Sequence, residues 1–358
     1  MTMRDIAKAC NVSVATVSNV INGKSGVSDK TRERIKAFIE KENYTPNAIA
    51  KHLKTKETKT IGVILEDITI FSIPSVVDGI TEYCEEQGYR LMVSNLRLYG
   101  KYFDTYYSKE EYFLSLVRET LRDMYAAQVD GIIYVSAHER VLTCLPAEFP
   151  IPLVMSYAYS QTNGIPSIVI DDENGAQQLV EYLLHLGHRR IGVITGKEGS
   201  AHANKRLIGY QRALLQNQIL YDPQLVLQGD WTAETGFCQA EVLLDRGVTA
   251  IFCMNDLMAE GAVRKANQRY LSVPGDISIV GYDDREWADM MTPALTTVRL
   301  PLHEIGFRAA QCIIQMIGQG DQPTDQPVNL VPCELVIRSS AGRAQEKEKQ
   351  NAGFEFQI

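Results

Sequence analysis

Residues 11–20 read NVSVATVSNV, a run of small and β-branched side chains without a formal charge. Ser13 is a preferred N-cap residue, and Val17, Val20 and Ile21 recur at the i, i+3 and i+4 spacing of one helix face. The pattern predicts a helix that begins after Ser13 and buries these three side chains.

The opposite face of this helix carries small polar and methyl groups. A rotation of 100° per residue places Ala15, Ser18 and Asn19 there, with Val14 at the border near the helix start. Methyl, hydroxyl and amide groups of this size fit a DNA major groove, which is about 12 Å wide. Charged side chains on neighbouring segments can then contact phosphates. We interpret the helix as one that contacts base edges.

Two further helices are predicted beside it. Residues 3–10 form the first, and a third begins after the N-cap residue Ser28. Their apolar positions are Ile6, Cys10, Ile35, Phe38 and Ile39. Three short helices with a tight turn between the first two predict a helix-turn-helix, although a generic three-helix subdomain has the same pattern.

Charge divides the chain near the same place. Residues 1–59 hold 12 Lys and Arg against 6 Asp and Glu, and residues 60–358 hold 24 against 38. A basic head therefore precedes an acidic body within a chain of net charge −8. The asymmetry favours a polyanionic partner for the head.

Composition limits the class of protein. The 358 residues are 45% hydrophobic, which suits two or three globular units. There is no run of 18 apolar residues, and the N-terminus carries charges where a signal peptide would be apolar. The 7 cysteines are scattered and form no C-x-x-C pair. We expect a cytoplasmic protein without a membrane span, disulfides or a metal site.

From Thr60 onward, short apolar runs alternate with amphipathic segments. The predicted strands are 60–65, 90–95, 131–136, 152–156, 167–171, 190–195, 250–255 and 277–282. The predicted helices are 76–87, 109–127, 174–186, 203–217, 233–245, 257–269 and 303–317. Strict alternation predicts parallel sheets covered by helices, which bind ligands at the carboxyl ends of their strands.

Several segments closely resemble bacterial regulators of the lactose and purine repressor family. They are RDIAKACNVSVATVSNVINGKSGVSDKTRERI, NYTPNAIAKHLKTKETKTIGVIL, LGHRRIGVITG, MNDLMAEGA, VPGDISIVGYDD and TPALTTVRLP. The resemblance implies an all-α helix-turn-helix head over 1–46 and a hinge helix with linker over 47–59. It also implies an α/β, two-lobed, periplasmic-binding-protein-like effector domain over 60–338, with the chain crossing between lobes near residues 160, 290 and 322.

By the same resemblance, the protein is a homodimeric repressor that binds a palindromic operator. Val14, Ala15 and Asn19 would contact bases, and Thr16 and Ser18 the phosphate backbone. Many relatives carry arginine where this chain has Asn19. Asparagine prefers adenine and arginine prefers guanine, so we expect an operator altered at that position.

The resemblance also assigns roles in residues 47–55, where a plain linker is the alternative. This segment would become helical only on operator DNA and insert Leu53 between base pairs of the minor groove. Lys51 and Lys54 would follow the phosphates and make the affinity strongly dependent on salt.

Six residues are expected in the effector site between the lobes. The resemblance places there Asp67, Phe71, Arg206, Trp231, Asn255 and Asp283. Fixed donors and acceptors bind hydroxyl groups and an indole stacks on a sugar ring, so we expect a mono- or disaccharide that releases the repressor. A purine or nucleoside effector, or a corepressor mode, is the alternative within the family.

Each of the four residues in the second half of the chain also has a simpler interpretation. Asp283 and Asn255 suit N-caps of following helices, Trp231 suits a core position, and Arg206 suits an ion pair with a neighbouring acid.

Two departures from the family limit the inference about the ligand. Ser156 and Tyr157 stand where many relatives place an aspartate. The aromatic insertion, residues 96–109, reads LRLYGKYFDTYYSK. Its five rings suit either a stacking platform for a longer glycan or a lid that packs on its own lobe or on the dimer partner.

The end of the chain and two rival functions complete the sequence-based expectations. Residues 339–358 are polar and lack leucine heptads, which predicts a mobile tail and a dimer. An enzyme is disfavoured, because Gly23-Lys24-Ser25 lacks the first glycine of a phosphate loop and no nucleophile has a supporting context. No cofactor is expected. A sugar-transport binding protein is the second rival, and the head argues against it.

Overall fold

The computed structural model describes residues 1–21, 23–42, 44, 58–107, 109–146, 148–161, 164–319 and 328–345. The chain forms two compact units, Met1–Thr58 and Lys59–Ile358. In the described part of the chain, no helix combines the length and the apolar character needed to cross a bilayer.

The first unit contains the three predicted helices. They are α1 (Met3–Ala9), α2 (Val14–Ile21) and α3 (Asp29–Lys41). The Ser13 hydroxyl accepts the Thr16 N–H at 3.1 Å and so caps α2 as predicted. Ser28 precedes α3, but its side chain makes no capping hydrogen bond and instead lies 2.9 Å from the Thr31 hydroxyl.

The apolar stripes of the three helices meet in one small core. Its buried members are Ile6, Ala7, Cys10, Val17, Val20 and Ile35, with Phe38 and Ile39 packed against them. The turn between α1 and α2 passes through Asn11 at φ 47°, a left-handed conformation that asparagine tolerates. The predicted helix-turn-helix arrangement is confirmed.

The second unit alternates strands and helices. Its strands are β1 (Thr60–Leu65), β2 (Arg90–Asn95), β3 (Gly131–Val135), β4 (Val141–Leu142), β5 (Leu153–Ser156), β6 (Tyr159–Ser160), β7 (Ser167–Asp171), β8 (Ile191–Ile194), β9 (Val226–Leu227), β10 (Ala250–Cys253), β11 (Ser278–Val280), β12 (Thr297–Arg299), β13 (Val328–Pro332) and β14 (Glu334–Val336). All eight predicted apolar runs form strands.

Its helices are α4 (Ser72–Glu86), α5 (Leu98–Tyr102), α6 (Leu114–Ala126), α7 (Asp172–His185), α8 (Ala201–Gln216), α9 (Ala233–Asp245), α10 (Asp256–Gln268) and α11 (Leu302–Gln319). The helix predicted from residue 109 begins only at Leu114, because Glu110–Tyr112 form a 3₁₀ turn. The helix predicted from residue 76 begins earlier, at Ser72.

Two parallel sheets define two lobes. Lobe 1 has the strand order β13-β7-β5-β3-β1-β2, and lobe 2 has the order β11-β10-β8-β9. Helices α4 and α11 pack together on lobe 1, and the pairs α7 with α8 and α9 with α10 pack on lobe 2. A Cβ on Gly79 would lie 2.0 Å from the His303 carbonyl oxygen, so glycine is needed where α4 and α11 touch.

The crossings between lobes lie further along the chain than expected. Strands β7 and β13 both pair within the sheet of lobe 1, so the chain leaves this lobe only after Asp171 and after Pro332. It returns to lobe 1 between Arg299 and Leu302, where β12 ends and α11 begins. The predicted crossings near 160, 290 and 322 were therefore wrong in position.

The predicted mobile tail was wrong for residues 339–345. Ser340 is fully buried and exchanges hydrogen bonds with Ile279 of β11, through its backbone at 3.0 Å and its hydroxyl at 2.6 Å. The Ala344 N–H donates to the Leu186 carbonyl at 2.9 Å. A polar segment is ordered here because its backbone groups find partners in lobe 2. Residues 346–358 lie outside the described part.

Candidate DNA-reading face and effector cleft

The outer face of α2 is accessible, as predicted. Val14 is 42% exposed, Ala15 is exposed, and Thr16, Ser18 and Asn19 are partly exposed. We call these five residues the DNA-reading face. Because the other side of α2 is buried, the helix can present only this face to a partner. Lys51, Leu53 and Lys54 lie outside the described residues, and their roles stay predictions.

The effector cleft is the space between the carboxyl edges of the two sheets. Asp67 and Phe71 follow β1 in lobe 1, whereas Arg206, Trp231, Asn255 and Asp283 belong to lobe 2. Arg206 lies on α8, and Asn255 and Asp283 follow β10 and β11. Two of the six predicted residues thus lie at the carboxyl edge of the lobe 1 sheet and four in lobe 2.

Arg206 is the centre of the lobe 2 side. It is 2% exposed, and its Nε donates to Asp172 Oδ1 at 2.7 Å while Nη1 donates to the Met254 carbonyl. Its guanidinium carbon lies 3.7 Å from the Tyr282 ring centroid and 5.9 Å from that of Trp231. The simpler interpretation of Arg206 as half of an ion pair is therefore correct, and its partner is Asp172.

The pKa values of Asp283 and Asp172, which both lie beside Arg206, are shifted in opposite directions. Burial raises the pKa of Asp283 well above its usual range, and Arg206 at 3.7 Å only partly opposes this. Burial also disfavours the charged form of Asp172, but Arg206 and His202 outweigh it and lower its pKa. The two carboxyl groups beside Arg206 therefore differ in how readily they ionise.

Strained backbone marks the same region. Trp231 has φ 75° and Asp283 has φ 117°, both in the range that favours glycine. The Trp231 ring lies directly over Gly196, where an added Cβ would be 1.8 Å from the indole. Such conformations cost about 1–3 kcal/mol each and cluster at ligand sites. Asp283 does not cap a following helix.

Asn255 is a helix N-cap, the simpler of the two roles that the sequence allowed. Its Oδ1 accepts the Met258 N–H at 2.8 Å and caps α10, and its Nδ2 donates to the Trp231 carbonyl at 3.0 Å. The amide therefore holds Trp231 in place.

Asp67 and Phe71, the two predicted site residues in lobe 1, already contact other residues of the protein. Asp67 accepts hydrogen bonds from the Thr69 N–H, the Thr69 hydroxyl and the Gly100 N–H. Burial opposes ionisation of Asp67, but these bonds outweigh it and lower its pKa. Phe71 lies under the Arg285 guanidinium from lobe 2, 4.1 Å from its ring centroid.

Sequence analysis did not identify four polar residues near the cleft, which are Glu139, Asp172, His202 and Lys205. His202 Nδ1 bonds Asp172 Oδ2 at 2.5 Å, and its Nε2 accepts the Glu139 N–H from lobe 1 at 3.1 Å. Lys205 pairs with the Glu139 carboxylate and bonds Tyr159. The available signal was the spacing of His202 and Arg206, which places both on one face of α8.

Glu139, Asp172 and His202 have ligand atoms within 4.8 Å of one another, which is compatible with a metal. Both nitrogens of His202 and both oxygens of Asp172 are already engaged, and Glu139 contacts Lys205. Among the described residues, this group is therefore an ion-pair cluster that joins the lobes.

The aromatic insertion packs on its own lobe. Tyr106 is fully buried, and the Arg140 guanidinium lies 5.4 Å and 5.5 Å from the ring centroids of Tyr106 and Tyr107. Arg140 also pairs with the buried Glu66 carboxylate at 2.6 Å. The insertion was expected to be either a stacking platform for a glycan or a lid. The positions of Tyr106 and Tyr107 agree with a lid that packs on its own lobe.

Ser156 and Tyr157, the two residues that depart from the family pattern, are buried in lobe 1. The Ser156 hydroxyl has no hydrogen-bond partner among the described residues. The Tyr157 ring lies 5.2 Å from the ring of His202, and its backbone has φ 64°. An aromatic ring thus approaches lobe 2 from the end of β5.

A cavity of about 250 Å³ lies elsewhere, near Thr249, Ile277 and Arg343. Thr249 and Ile277 precede β10 and β11, so this cavity is at the amino edge of the lobe 2 sheet. The effector cleft is at the carboxyl edge, where parallel sheets bind ligands.

Comparisons with known proteins agree with this two-part architecture. Residues 2–47 match the model of bacterial regulatory proteins of the lacI family, and residues 180–341 match a periplasmic binding protein-like domain. Catabolite control protein A of Priestia megaterium is 33% identical over 95% of this chain and 99% of its own. The ribose operon repressor of Haemophilus influenzae is 33% identical over 88% and 92%.

A solved structure is similar over nearly the whole chain. The lac repressor dimer bound to operator and the anti-inducer ONPF superposes with a TM-score of 0.75 and 30% identity, over 96% of this chain and 99% of that chain.

Proposed function

The chain belongs to the lacI family of bacterial regulatory proteins, and we propose that it is a homodimeric repressor of a carbohydrate-utilisation operon, released from a palindromic operator by a small sugar. The observation that carries the effector assignment is the convergence of Arg206, Asp283 and Trp231 at the carboxyl edge of lobe 2. A guanidinium beside a carboxyl group suits adjacent hydroxyls, and an indole suits a sugar face.

Support for DNA recognition comes from the head. The DNA-reading face is exposed, small and uncharged, and two-fold symmetry of a dimer demands matching half-sites in the operator. Binding of effector and of operator must be coupled reciprocally, typically by about 1–3 kcal/mol. Such a regulator acts in the cytoplasm, where its DNA lies.

Operator binding is tested by fluorescence anisotropy with palindromic sequences from the operon that encodes the protein. We expect one duplex to bind at least about 1,000-fold more tightly than random DNA at moderate salt. Equal affinity for all duplexes with and without metabolites would remove the repressor assignment.

The effector site is tested by thermal shift with monosaccharides, disaccharides, nucleobases and nucleosides. We expect a sugar to raise the melting temperature and to lower operator affinity, and Asp283→Ala to lose both effects. The partly exposed Asp222, with Asp222→Ala, is the control. A response to purines alone would replace the sugar by the purine alternative, and a response that strengthens operator binding would identify a corepressor.

A further inference from the structure

We propose that the aromatic insertion is the specificity element of the effector cleft and restricts the effector to a single uncharged sugar ring. This inference rests on the proposed sugar-responsive function. It concerns a segment in which the chain departs from its family, and it names the size and charge of the ligand that the cleft admits.

The insertion is fastened across the carboxyl edge of lobe 1. The Leu98 N–H donates to the Glu66 carbonyl at 2.8 Å, and the Gly100 N–H donates to Asp67 Oδ2 at 3.0 Å. The buried Tyr106 ring anchors the other end of the segment. Asp67, predicted as a ligand residue, therefore holds the insertion, and the insertion replaces it as the wall of the cleft.

The insertion also reaches lobe 2. Asp104 forms an ion pair with Lys197, which follows Gly196 and so lies beside the position that supports Trp231. The segment thus extends from Asp67 on one side of the cleft to the neighbourhood of the indole on the other. A ligand stacked on Trp231 would meet the insertion at its far end.

A row of rings lies on the lobe 1 side. The Tyr107 ring centroid is 4.6 Å from that of His138, and the His138 centroid is 6.3 Å from that of His202. The Tyr157 ring centroid is 5.2 Å from that of His202. This row of rings continues from the insertion to α8. A second sugar ring would need the space that Tyr107 and His138 occupy.

Charge at the cleft favours a neutral ligand. Arg140, Lys197, Lys205 and Arg206 pair with Glu66, Asp104, Glu139 and Asp172 respectively. A phosphate group would have to displace a carboxylate from one of these four cations or the Phe71 ring from Arg285. Hydroxyl groups, by contrast, can bond Asp283 and leave the Arg206–Asp172 pair intact.

The test measures binding of glucose, galactose, ribose, glucose 6-phosphate, cellobiose and lactose by calorimetry and thermal shift. The variant is Tyr107→Ala, and the matched control is Tyr112→Ala, a 41% exposed tyrosine that pairs with Tyr102 on the outer side of the segment. We expect the wild type to bind a neutral monosaccharide at least about 10-fold more tightly than either disaccharide or the sugar phosphate. Tyr107→Ala should remove most of the preference over disaccharides, and Tyr112→Ala should retain it.

A second set of variants avoids any question of folding, because Asp104 and Lys197 are half exposed. Asp104→Lys and Lys197→Glu should each speed sugar association and weaken the preference for one ring. The double variant Asp104→Lys with Lys197→Glu should restore the wild-type association rate and the wild-type preference for one ring, because it re-forms the ion pair with the charges reversed.

The outcomes separate this inference from the function on which it rests. A wild type that binds a disaccharide or the sugar phosphate as tightly as any monosaccharide overturns the inference and leaves the sugar-responsive repressor intact. Equal selectivity in Tyr107→Ala and Tyr112→Ala also overturns it. Failure of every sugar to bind overturns the sugar effector itself, and with it the inference.

Discussion

The polar groups of helix α2 are accessible to a partner, whereas those of the effector cleft are buried and paired. The DNA-reading face leaves Val14 42% exposed and holds no formal charge, whereas Arg206 is 2% exposed and is bonded to Asp172. Around the cleft, four cations are paired with four acids before any ligand arrives. The head therefore presents its contacts to a partner, whereas the charges of the cleft are already paired. Two of these pairs each lie within one lobe, and the other two, Lys197–Asp104 and Lys205–Glu139, join the lobes.

This contrast predicts that substitutions in the cleft change stability and that substitutions on the DNA-reading face change only recognition.

Asp172→Asn should have the largest effect. It removes the carboxylate that pairs with the buried Arg206 guanidinium at 2.7 Å and leaves only Asp283, 3.7 Å away, which costs about 3–5 kcal/mol of unfolding free energy. Urea denaturation measures the loss. The control is Glu260→Gln, which removes an exposed i,i+4 pair with Arg264 and should cost less than about 1 kcal/mol. Similar losses in the two variants would contradict the contrast.

Asn19→Ala should leave stability unchanged and alter recognition. We expect a loss of about 1–3 kcal/mol for the operator with the preferred base, and equal affinity for operators that differ only at that base pair. Anisotropy with the four operator variants measures both effects. Asn19→Arg should move the preference from adenine to guanine. Retained discrimination in Asn19→Ala would exclude Asn19 from base contact.

His138 should make stability depend on pH. Burial, with the charges of His202 and Arg140, lowers the pKa of His138 to about 3 from an unfolded value of 6.5. The unfolded chain then takes up a proton first, so stability is complete above pH 6.5 and falls as pH decreases toward 3. Between pH 7 and pH 5 this amounts to at most about 2 kcal/mol.

His138→Gln should flatten that part of the profile, as measured by urea midpoints at a series of pH values. His185, which bonds the Glu181 carbonyl on α7, provides the comparison, and His185→Gln should keep the wild-type slope. An unchanged slope in His138→Gln would assign the pH dependence to another group.

Ser13→Ala should have the smallest effect. It removes the hydroxyl that accepts the Thr16 N–H, and loss of such a cap costs about 1 kcal/mol. Ser28→Ala is the matched variant, because Ser28 makes no capping bond to α3 and should cost less. Thermal unfolding of the full chain, followed at a head-specific probe, ranks the two. A larger loss for Ser28→Ala would contradict the observed caps.

Much of the architecture followed from the order of residues along the chain. The spacing of Val17, Val20 and Ile21 defined α2 and its outer face, because a helix with one apolar stripe has only one way to bury it. Eight apolar runs gave strands at their predicted positions, since consecutive apolar residues need both faces covered. The resemblance to the family supplied the two lobes, and the ligand residues that it implies stay a prediction.

Tertiary structure alone decided how those residues are used. Asp67 is occupied by the insertion and Arg206 is neutralised by Asp172, because each found its partner through contacts distant in sequence. The chain crossings and the buried segment around Ser340 depended equally on which strands pair across the fold. Local pattern determines which face of an element is apolar, whereas the satisfaction of a buried polar group depends on whatever the fold brings beside it.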